Sequence, residues 1–186
     1  MDFELLDIND NDAIGRMSTL ATEIVREHYD PIIGKAQNDY MIAMFQSPEA
    51  IKGQLEDGAR YYFVTDGTEP IGFLSYYVRH DTNTGDAPQT SRNTSYLYLS
   101  KFYLRKDRRG KGLSRKMLEF LIGKAQEFGA RRIELNVNRG NSAIKAYEGL
   151  GFRKLREEKN NIGNGFFMDD YVYVMDVGPT ASWHEA

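Results

Sequence analysis

The sequence contains no cysteine and no apolar run long enough to cross a bilayer. Without cysteine there are no disulfides, thiolate metal sites or cysteine nucleophile, which fits a cytoplasmic protein. A spanning helix needs about 20 apolar residues, so we expect no membrane association. The first residues, MDFELLDINDND, also lack the basic-then-apolar order of a secretory signal. The composition of the 186 residues, 41% hydrophobic and 27% charged, is that of a globular domain.

Charge is distributed unevenly along the chain, whose formal net charge is -3. Residues 1–95 carry 16 acidic and 7 basic side chains, whereas residues 96–186 carry 11 acidic and 17 basic ones. One interpretation is that a cationic partner meets one half and an anionic partner the other. The other is that folding brings the halves together and cancels the difference. The sequence favours both equally.

Hydrophobic periodicity predicts one mixed α/β domain over residues 1–178, followed by a disordered tail at 179–186. The predicted element order is β-ααα-ββ-β-α-β-α-ββ, in which a helix crosses between two central strands. Strands are predicted at 3–8, 95–106 and 130–138, hairpins at 60–80 and 152–177, helices at 14–28, 36–45, 47–57, 113–128 and 141–150, and a mobile loop at 81–95. The predicted helix caps are Asp10 or Asp12, then Ser47 and Asn141.

The densest cluster of cations is RKDRRGKGLSRK, residues 105–116, with seven basic residues and two glycines. A solvated surface is the ordinary fate of such a run. However, Gly110 and Gly112 fall where a strand ends and a helix begins. The first turn of a helix presents unpaired N–H groups and partial positive charge, which phosphate oxygens approach where no Cβ intervenes. The stretch therefore predicts a site for a ligand with several phosphates, surrounded by Arg108, Arg109, Lys111 and Arg115.

Two common phosphate-binding signatures fit this loop poorly. The spacing of a P-loop, Gly-x4-Gly-Lys followed by Ser or Thr, is absent. A dinucleotide fingerprint needs a third glycine where Arg115 stands, and arginine obstructs close helix–strand packing there. Glu134, the candidate ribose ligand, lies in the middle of a predicted strand rather than at its end.

The stretch Arg109–Ser114 instead resembles the Arg/Gln-x-x-Gly-x-Gly/Ala signature of the GNAT superfamily of N-acetyltransferases. KFYLRKDRRGKGLSRKMLEFL is similar to the strand-loop-helix core of that family, and NVNRGNSAIKAYEGLGF to its second signature. Together the two cover residues 97–153. Ser114 departs from the usual Gly or Ala, but it is small and its hydroxyl can donate to a phosphate. The resemblance implies a mixed, mostly antiparallel central sheet with helices on both faces, and an acetyl-CoA-dependent N-acetyltransferase.

The resemblance also implies roles for individual residues. The loop amides would bind the pyrophosphate of coenzyme A, the fourth strand would pair with the pantetheine arm, and Asn136 and Asn141 would contact that arm from the other side. Tyr147 would protonate the departing thiolate. Asn141 has a helix cap as its alternative role, and Tyr147 has packing against the sheet. The expected coenzyme-binding residues are Phe102, Tyr103, Leu104, Arg109, Gly110, Lys111, Gly112, Leu113, Ser114, Arg115, Asn136, Asn141 and Tyr147.

The proton acceptor for the incoming amine is harder to identify. An alkylammonium with a pKa of about 10.4 must lose a proton, which costs ~4.6 kcal/mol at pH 7. The family position that often carries an acid maps to Tyr98, our second candidate catalytic residue. Asp169, Asp170 or a water chain to Tyr98 are the alternatives. Since there is no cysteine to carry the acetyl group, direct attack in a ternary complex follows.

By the same resemblance, the N-terminal helices and the final hairpin build the acceptor site. Because the first half is acidic, we expect a cationic acceptor: a polyamine, an aminated metabolite, a lysine side chain or a peptide N-terminus. Candidate lining residues are His28–Pro31 and Gln37–Tyr40. No His/Asp/Glu spacing suggests a metal, and a homodimer remains open.

Two other functions compete with acetyl transfer. The first is a nucleic-acid-binding module, whose bases would stack on aromatic residues of the fourth strand. An isoelectric point near 5.7 argues against it, so we expect no nucleic-acid partner. The second is a non-catalytic relative that binds acyl-CoA.

Overall fold

The computed structural model describes residues 1–81 and 95–178. The tail predicted at 179–186 and residues 82–94 of the predicted loop lie outside the described residues. The strands are β1 Asp2–Leu5, β2 Arg60–Asp66, β3 Glu69–His80, β4 Ser95–Leu104, β5 Ala130–Asn138, β6 Arg153–Gly163 and β7 Phe166–Asp176. The helices are α1 Asn11–Ile33, α2 Lys35–Phe45, α3 Pro48–Glu56, α4 Leu113–Glu127 and α5 Ile144–Gly149. This order confirms the sequence prediction; a 3₁₀ turn at Lys106–Arg108 is the addition.

Side-chain caps explain where the first helices begin. The carboxylate of Asp10, rather than that of Asp12, accepts from the backbone N–H of Ala13 at 2.8 Å. Ser47 caps α3 by accepting from Ala50 N at 3.1 Å, and Pro48 occupies the first helical position. Both caps and the position of Pro48 follow local sequence signals.

Two local predictions are wrong. Helix α1 does not stop before Pro31 but runs to Ile33. A proline in the last turn removes only one hydrogen-bond donor, and Gly34, with φ of 81°, ends the helix instead. Asn141 does not cap α5, since its side-chain oxygen accepts from Ala143 N at 2.8 Å, one residue before the helix starts. It closes the turn that leads into α5.

The seven strands follow the order β1-β2-β3-β4-β5-β7-β6 in a mixed sheet. The pairs β1–β2, β2–β3, β5–β7 and β6–β7 are antiparallel. In contrast, β4 and β5 run parallel, and α4 connects them. The expected fold class, a mixed and mostly antiparallel sheet with helices, is confirmed.

The chain divides into two compact units, residues 1–77 with 100–114, and residues 78–99 with 115–186 as far as they are described. The core of the first unit forms around α1, whose predicted apolar face is wholly buried: Ile14, Met17, Leu20, Ala21, Ile24 and Val25. It packs with Ile51 of α3, with Tyr61 and Phe63 of β2 and with Phe73 of β3.

The second unit has its own apolar residues on β5 and α4. Ile133, Leu135 and Val137 alternate along β5 and are at most 3% exposed, as the predicted strand requires. The buried face of α4 consists of Met117, Leu118, Leu121, Ile122 and Ala125. Within residues 1–81 and 95–178, no helix is both long and apolar enough to cross a membrane.

Candidate functional site

The glycine loop of the first unit owes its shape to two left-handed residues. Gly110 and Gly112 have φ of 71° and 74°, values that residues with a Cβ rarely adopt. A Cβ at either position would meet nothing within 4 Å. The glycines are therefore required by the backbone conformation, and the space beside the loop is open to a ligand.

The backbone N–H groups of residues 110–112 have no backbone acceptor among the described residues. Arg108 N and Arg109 N donate within the 3₁₀ turn, at 3.0 and 3.2 Å. The first turn of α4, from Leu113, adds amides that helix geometry leaves unpaired. Such a run of amides at a helix N-terminus suits a diphosphate, so the loop fits the pyrophosphate of coenzyme A.

Carboxylates of the first unit pair with the arginines before and within this loop. Arg105 contacts Glu23 at 2.6 Å. Arg108, expected beside the phosphates, is instead held by Asp66 and Glu69, at 3.1 and 2.6 Å. All three carboxylates belong to the acidic first half of the sequence. The interpretation that folding cancels the charge difference is therefore correct for these pairs.

Arg109 connects the loop to two other elements. Its Nε donates to the carbonyl oxygen of Leu104 at 2.9 Å, and its Nη2 lies 3.3 Å from Glu27 Oε2 on α1. The side chain is thus used to hold the loop against the end of β4. Its backbone N–H already donates to Lys106 O at 3.2 Å, so the loop amides without a backbone acceptor begin at Gly110.

The end of β4 lies close against β3 within the first unit. A Cβ on Gly72 would overlap the carbonyl oxygen of Tyr103 and would lie 2.9 Å from Leu104 Cδ2. The Tyr103 ring packs 5.2 Å from that of Phe73, and its hydroxyl lies 3.4 Å from that of Tyr29. Packing therefore fixes the backbone of Tyr103 and Leu104, two of the three residues that the family resemblance assigns to the pantetheine arm.

In the second unit, strand register gathers polar residues on one face of the sheet. Tyr98 is in register with Glu134, and Asp170 is in register with both Asn138 and Glu158. Register partners point to the same side of a sheet, as do residues two apart on one strand. The residues sharing this face are Tyr98, Glu134, Asn136, Asn138, Glu158 and Asp170. The structure thus brings three of the predicted site residues, Tyr98, Asn136 and Asp170, to one face.

Asp170 is the buried carboxylate of this face, 4% exposed. Burial raises its pKa to about 6, and the charges of Asp169 and Glu158 act in the same direction. A hydrogen bond from Asn136 opposes the rise, and Asn136 Nδ2 also donates to Glu158 at 3.1 Å. Asp169 differs, since its carboxylate pairs with Arg139 at 2.6 Å.

Tyr147 and Asn141 lie around α5 in the second unit. The Tyr147 ring is half-buried and meets Phe152 edge-on, with ring centroids 5.8 Å apart. The adjacent Glu148 accepts a hydrogen bond from the Tyr173 hydroxyl at 2.8 Å. Burial and this carboxylate raise the pKa of Tyr173 to about 12. Asn141 is 6% exposed. Packing orients Tyr147, while its catalytic role remains a prediction.

The candidate acceptor-lining residues of the first unit lie at the end of α1 and in α2. Asn38 is fully buried and donates to Asp30 at 2.7 Å. Asp39 is held by Arg26 and by Lys35, at 2.5 and 2.6 Å. In the part of the chain that the structure describes, no cluster of three or more histidine, aspartate and glutamate side chains is placed to hold a metal ion.

Two residues near the end of β4 were not predicted from the sequence as part of the candidate site. Gly72 is required by the close approach of β4, and Lys101 is a half-buried cation on β4 beside Phe45. Neither belongs to a motif. The alternation of β3 and β4 is the only sequence signal near them. It could not have identified them, because it does not show which strands are neighbours.

Comparison with known proteins agrees with this geometry. The model of the family described as Acetyltransferase (GNAT) family matches residues 22–152. No curated protein matches the sequence. The fold is similar to that of PaiA N-acetyltransferase from Thermoplasma acidophilum in complex with coenzyme A, at 17% identity and a TM-score of 0.68, over 95% of this chain and 99% of that one.

Two further solved structures share the fold. A GCN5-related N-acetyltransferase structure from Rhodopseudomonas palustris, also described as a class-II aminotransferase, is 12% identical with a TM-score of 0.70, over 94% of each chain. Arabidopsis thaliana NAA60 in complex with a bisubstrate analogue is 17% identical with a TM-score of 0.65, over 96% of this chain and 100% of that one.

Proposed function

The chain belongs to the GNAT family of acetyltransferases, and from this premise we propose that it transfers an acetyl group from acetyl-CoA to a primary amine by direct attack in a ternary complex. The observation that carries the proposal is the run of unpaired amides from Gly110 into the first turn of α4. The coenzyme supplies an activated thioester. The residues of the chain hold it, orient it and move protons.

The glycine loop and the start of α4 provide the proposed binding groups for the pyrophosphate. The amides from Gly110 to Ser114 donate to it, since that of Arg109 already donates to Lys106 O, and Lys111 and Arg115 add positive charge. The guanidinium groups of Arg108 and Arg109 act differently, since they already hold the loop through Glu69 and Glu27. The backbone of Phe102–Leu104 pairs with the pantetheine arm like an added strand and polarises the thioester carbonyl. Asn136 and Asn141 are proposed as further contacts to the arm.

Tyr147 donates the proton that the departing thiolate needs. Its contacts with Phe152 support this role, because a general acid has to be held in one orientation. A positioned acid of this kind contributes about 10²–10⁴-fold to the rate.

Asp170 takes the proton from the ammonium of the acceptor, directly or through water shared with Tyr98. Three alternatives are open in the sequence, and burial favours Asp170. A carboxylate with a pKa of about 6 is ionised at neutral pH and is more basic than an exposed one. Asp169 is a weaker candidate because Arg139 neutralises it.

The proposed acceptor is a primary amine. A cationic acceptor remains the proposal drawn from the acidic first half of the sequence. However, Glu23, Asp66 and Glu69 are already paired with loop arginines. The carboxylates that could attract a cationic acceptor are therefore those that are not paired with loop arginines. The bisubstrate analogue bound to Arabidopsis NAA60 is consistent with a ternary complex in this chain.

A screen of amines with detection of free thiol tests the proposal, comparing wild type with Tyr147→Phe. We expect acetyl-CoA-dependent thiol release with at least one amine. In Tyr147→Phe we expect kcat to fall by about 10²–10⁴-fold, with an unchanged KM for acetyl-CoA. Equal turnover in the two proteins would contradict the role of Tyr147 as the acid, but it would not contradict acetyl transfer itself. Calorimetric binding of acetyl-CoA without turnover would indicate the non-catalytic alternative. Salt-dependent binding of RNA, unaffected by coenzyme A, would indicate the nucleic-acid alternative.

A further inference from the structure

Lys101 on β4 is a cation without a carboxylate partner. It is half-buried, and among the described residues no aspartate or glutamate oxygen lies within 4.0 Å of its ammonium. The other half-buried cations of the first unit all meet carboxylates: Arg26, Arg105, Arg108 and Arg109. Lys101 therefore differs from its neighbours.

The contacts of Lys101 are with two uncharged residues. Its Nζ lies 5.5 Å from the centre of the Phe45 ring. The side-chain oxygen of Gln46, in the amide orientation that satisfies both of its polar atoms, accepts from Nζ at 3.3 Å. An ammonium has three donors, and these contacts use one of them. Neither neighbour ionises, so nothing in the described surroundings neutralises the charge.

A desolvated ammonium is costly unless an anion compensates it. Burial lowers the pKa of Lys101 to about 8, which leaves about nine-tenths of the side chain charged at pH 7. An anion bound beside it would stabilise the charged form and raise that pKa. The arrangement thus favours a ligand that brings a negative charge.

We propose that Lys101 binds a carboxylate of the acceptor, so that the acceptor is an amine that also carries an acid group, as a diamino acid does while it keeps a net positive charge. The inference rests on the proposed function, because it takes the adjacent backbone of Phe102–Leu104 to hold the thioester. Lys101 immediately precedes that backbone, and its side chain reaches the end of α2 at Phe45 and Gln46. It binds the acid group of the acceptor and takes no part in the transfer of protons.

Pairs of acceptors that differ only by a carboxylate test the inference. Lysine is compared with cadaverine and phenylalanine with phenethylamine, by thiol release from acetyl-CoA. We expect wild type to favour the acid member of a pair and Lys101→Met to lower kcat/KM for that member by about 10- to 100-fold, through KM. Lys101→Arg should retain part of the preference. Lys52→Met, which removes an exposed charge from α3, should change neither member. An equal loss for both members of every pair overturns the inference.

A second measurement needs no turnover. The pKa of the Lys101 ammonium is measured by NMR titration in the presence of Nα-acetyl-phenylalanine and of Nα-acetyl-lysine. The Lys101 signal is identified by its loss in Lys101→Arg. A rise of its pKa with either compound supports the carboxylate site, even if no amine were acetylated and the proposed function failed. An unchanged titration with both compounds overturns it. So does an acetyl group found on Lys101 by mass spectrometry, which would make Lys101 a nucleophile instead.

Discussion

Replacement of Gly72 by alanine probes the packing that holds the proposed thioester-binding backbone. The added Cβ would overlap the Tyr103 carbonyl oxygen and would lie 2.9 Å from Leu104 Cδ2 and 3.1 Å from Leu104 Cα. Cβ atoms in proteins essentially never come closer than 3.0 Å to such neighbours. The Leu104 methyl can rotate away, but the Tyr103 carbonyl belongs to the backbone and moves only with β4.

Overpacking of this kind costs about 1–3 kcal/mol, which lowers the melting temperature of a domain of this size by about 3–10 °C. The same displacement moves Phe102–Leu104. Because misplacement by about 1 Å at a reacting group can cost up to 10²-fold in rate, we expect kcat/KM for acetyl-CoA to fall about 10- to 100-fold.

The assays are urea or thermal unfolding and thiol release at varied acetyl-CoA. Gly53→Ala is the matched control, since Gly53 lies in α3 and a Cβ there meets nothing within 4 Å. Alanine in a helix should raise the free energy of unfolding by up to ~1 kcal/mol and leave the kinetics unchanged. If Gly72→Ala were as stable and as active as Gly53→Ala, the close approach of β3 and β4 would have no functional meaning.

Two further predictions concern the loop and the proposed base. Gly112→Ala should weaken calorimetric binding of coenzyme A about 5- to 30-fold, because its φ of 74° costs a residue with a Cβ about 1–2 kcal/mol. Gly123→Ala in α4, with free space around it, should bind normally. Wild-type kcat/KM should fall below about pH 6, where Asp170 becomes protonated, and Asp170→Asn should lose that limb together with about 10²–10⁴-fold in rate. Since the raised pKa makes the native state hold its proton to higher pH than the unfolded chain, wild type loses stability as the pH rises from about 4 to about 6, by at most ~3 kcal/mol. Asp170→Asn should lack this loss; an unchanged acidic limb would exclude Asp170 as the base.

Local sequence signals predicted the elements well because their causes are local. A helix cap needs one side chain and an amide two or three residues away, as at Asp10 and Ser47. Alternation on β5 and the apolar face of α1 depend only on the period of the element. The errors arise where a local preference is weak. Pro31 is tolerated in the last turn of α1, and the Asn141 side chain closes the turn before α5 instead of capping the helix.

Residues far apart in sequence were less predictable. The basic run 105–116 suggested free cations around a phosphate, but Arg108 and Arg109 contact Asp66, Glu69 and Glu27, which are about 40 or 80 residues away. The sequence named Tyr98 as a candidate catalytic residue and left Asp169, Asp170 or a water chain to Tyr98 open as the base. Burial separates the two carboxylates, because Asp170 is only 4% exposed, whereas Asp169 forms an ion pair with Arg139.

The sequence by itself determined the element order, the position of the glycine loop between a strand and a helix, and the family, since each depends on residue type and spacing along the chain. Only the tertiary structure decided which charges are neutralised, which carboxylate is desolvated and where a glycine is required by a neighbouring strand. Desolvation, ion pairing and close backbone approach depend on distances between strands and helices. Those distances arise when the whole sheet assembles, and no short stretch of sequence encodes them.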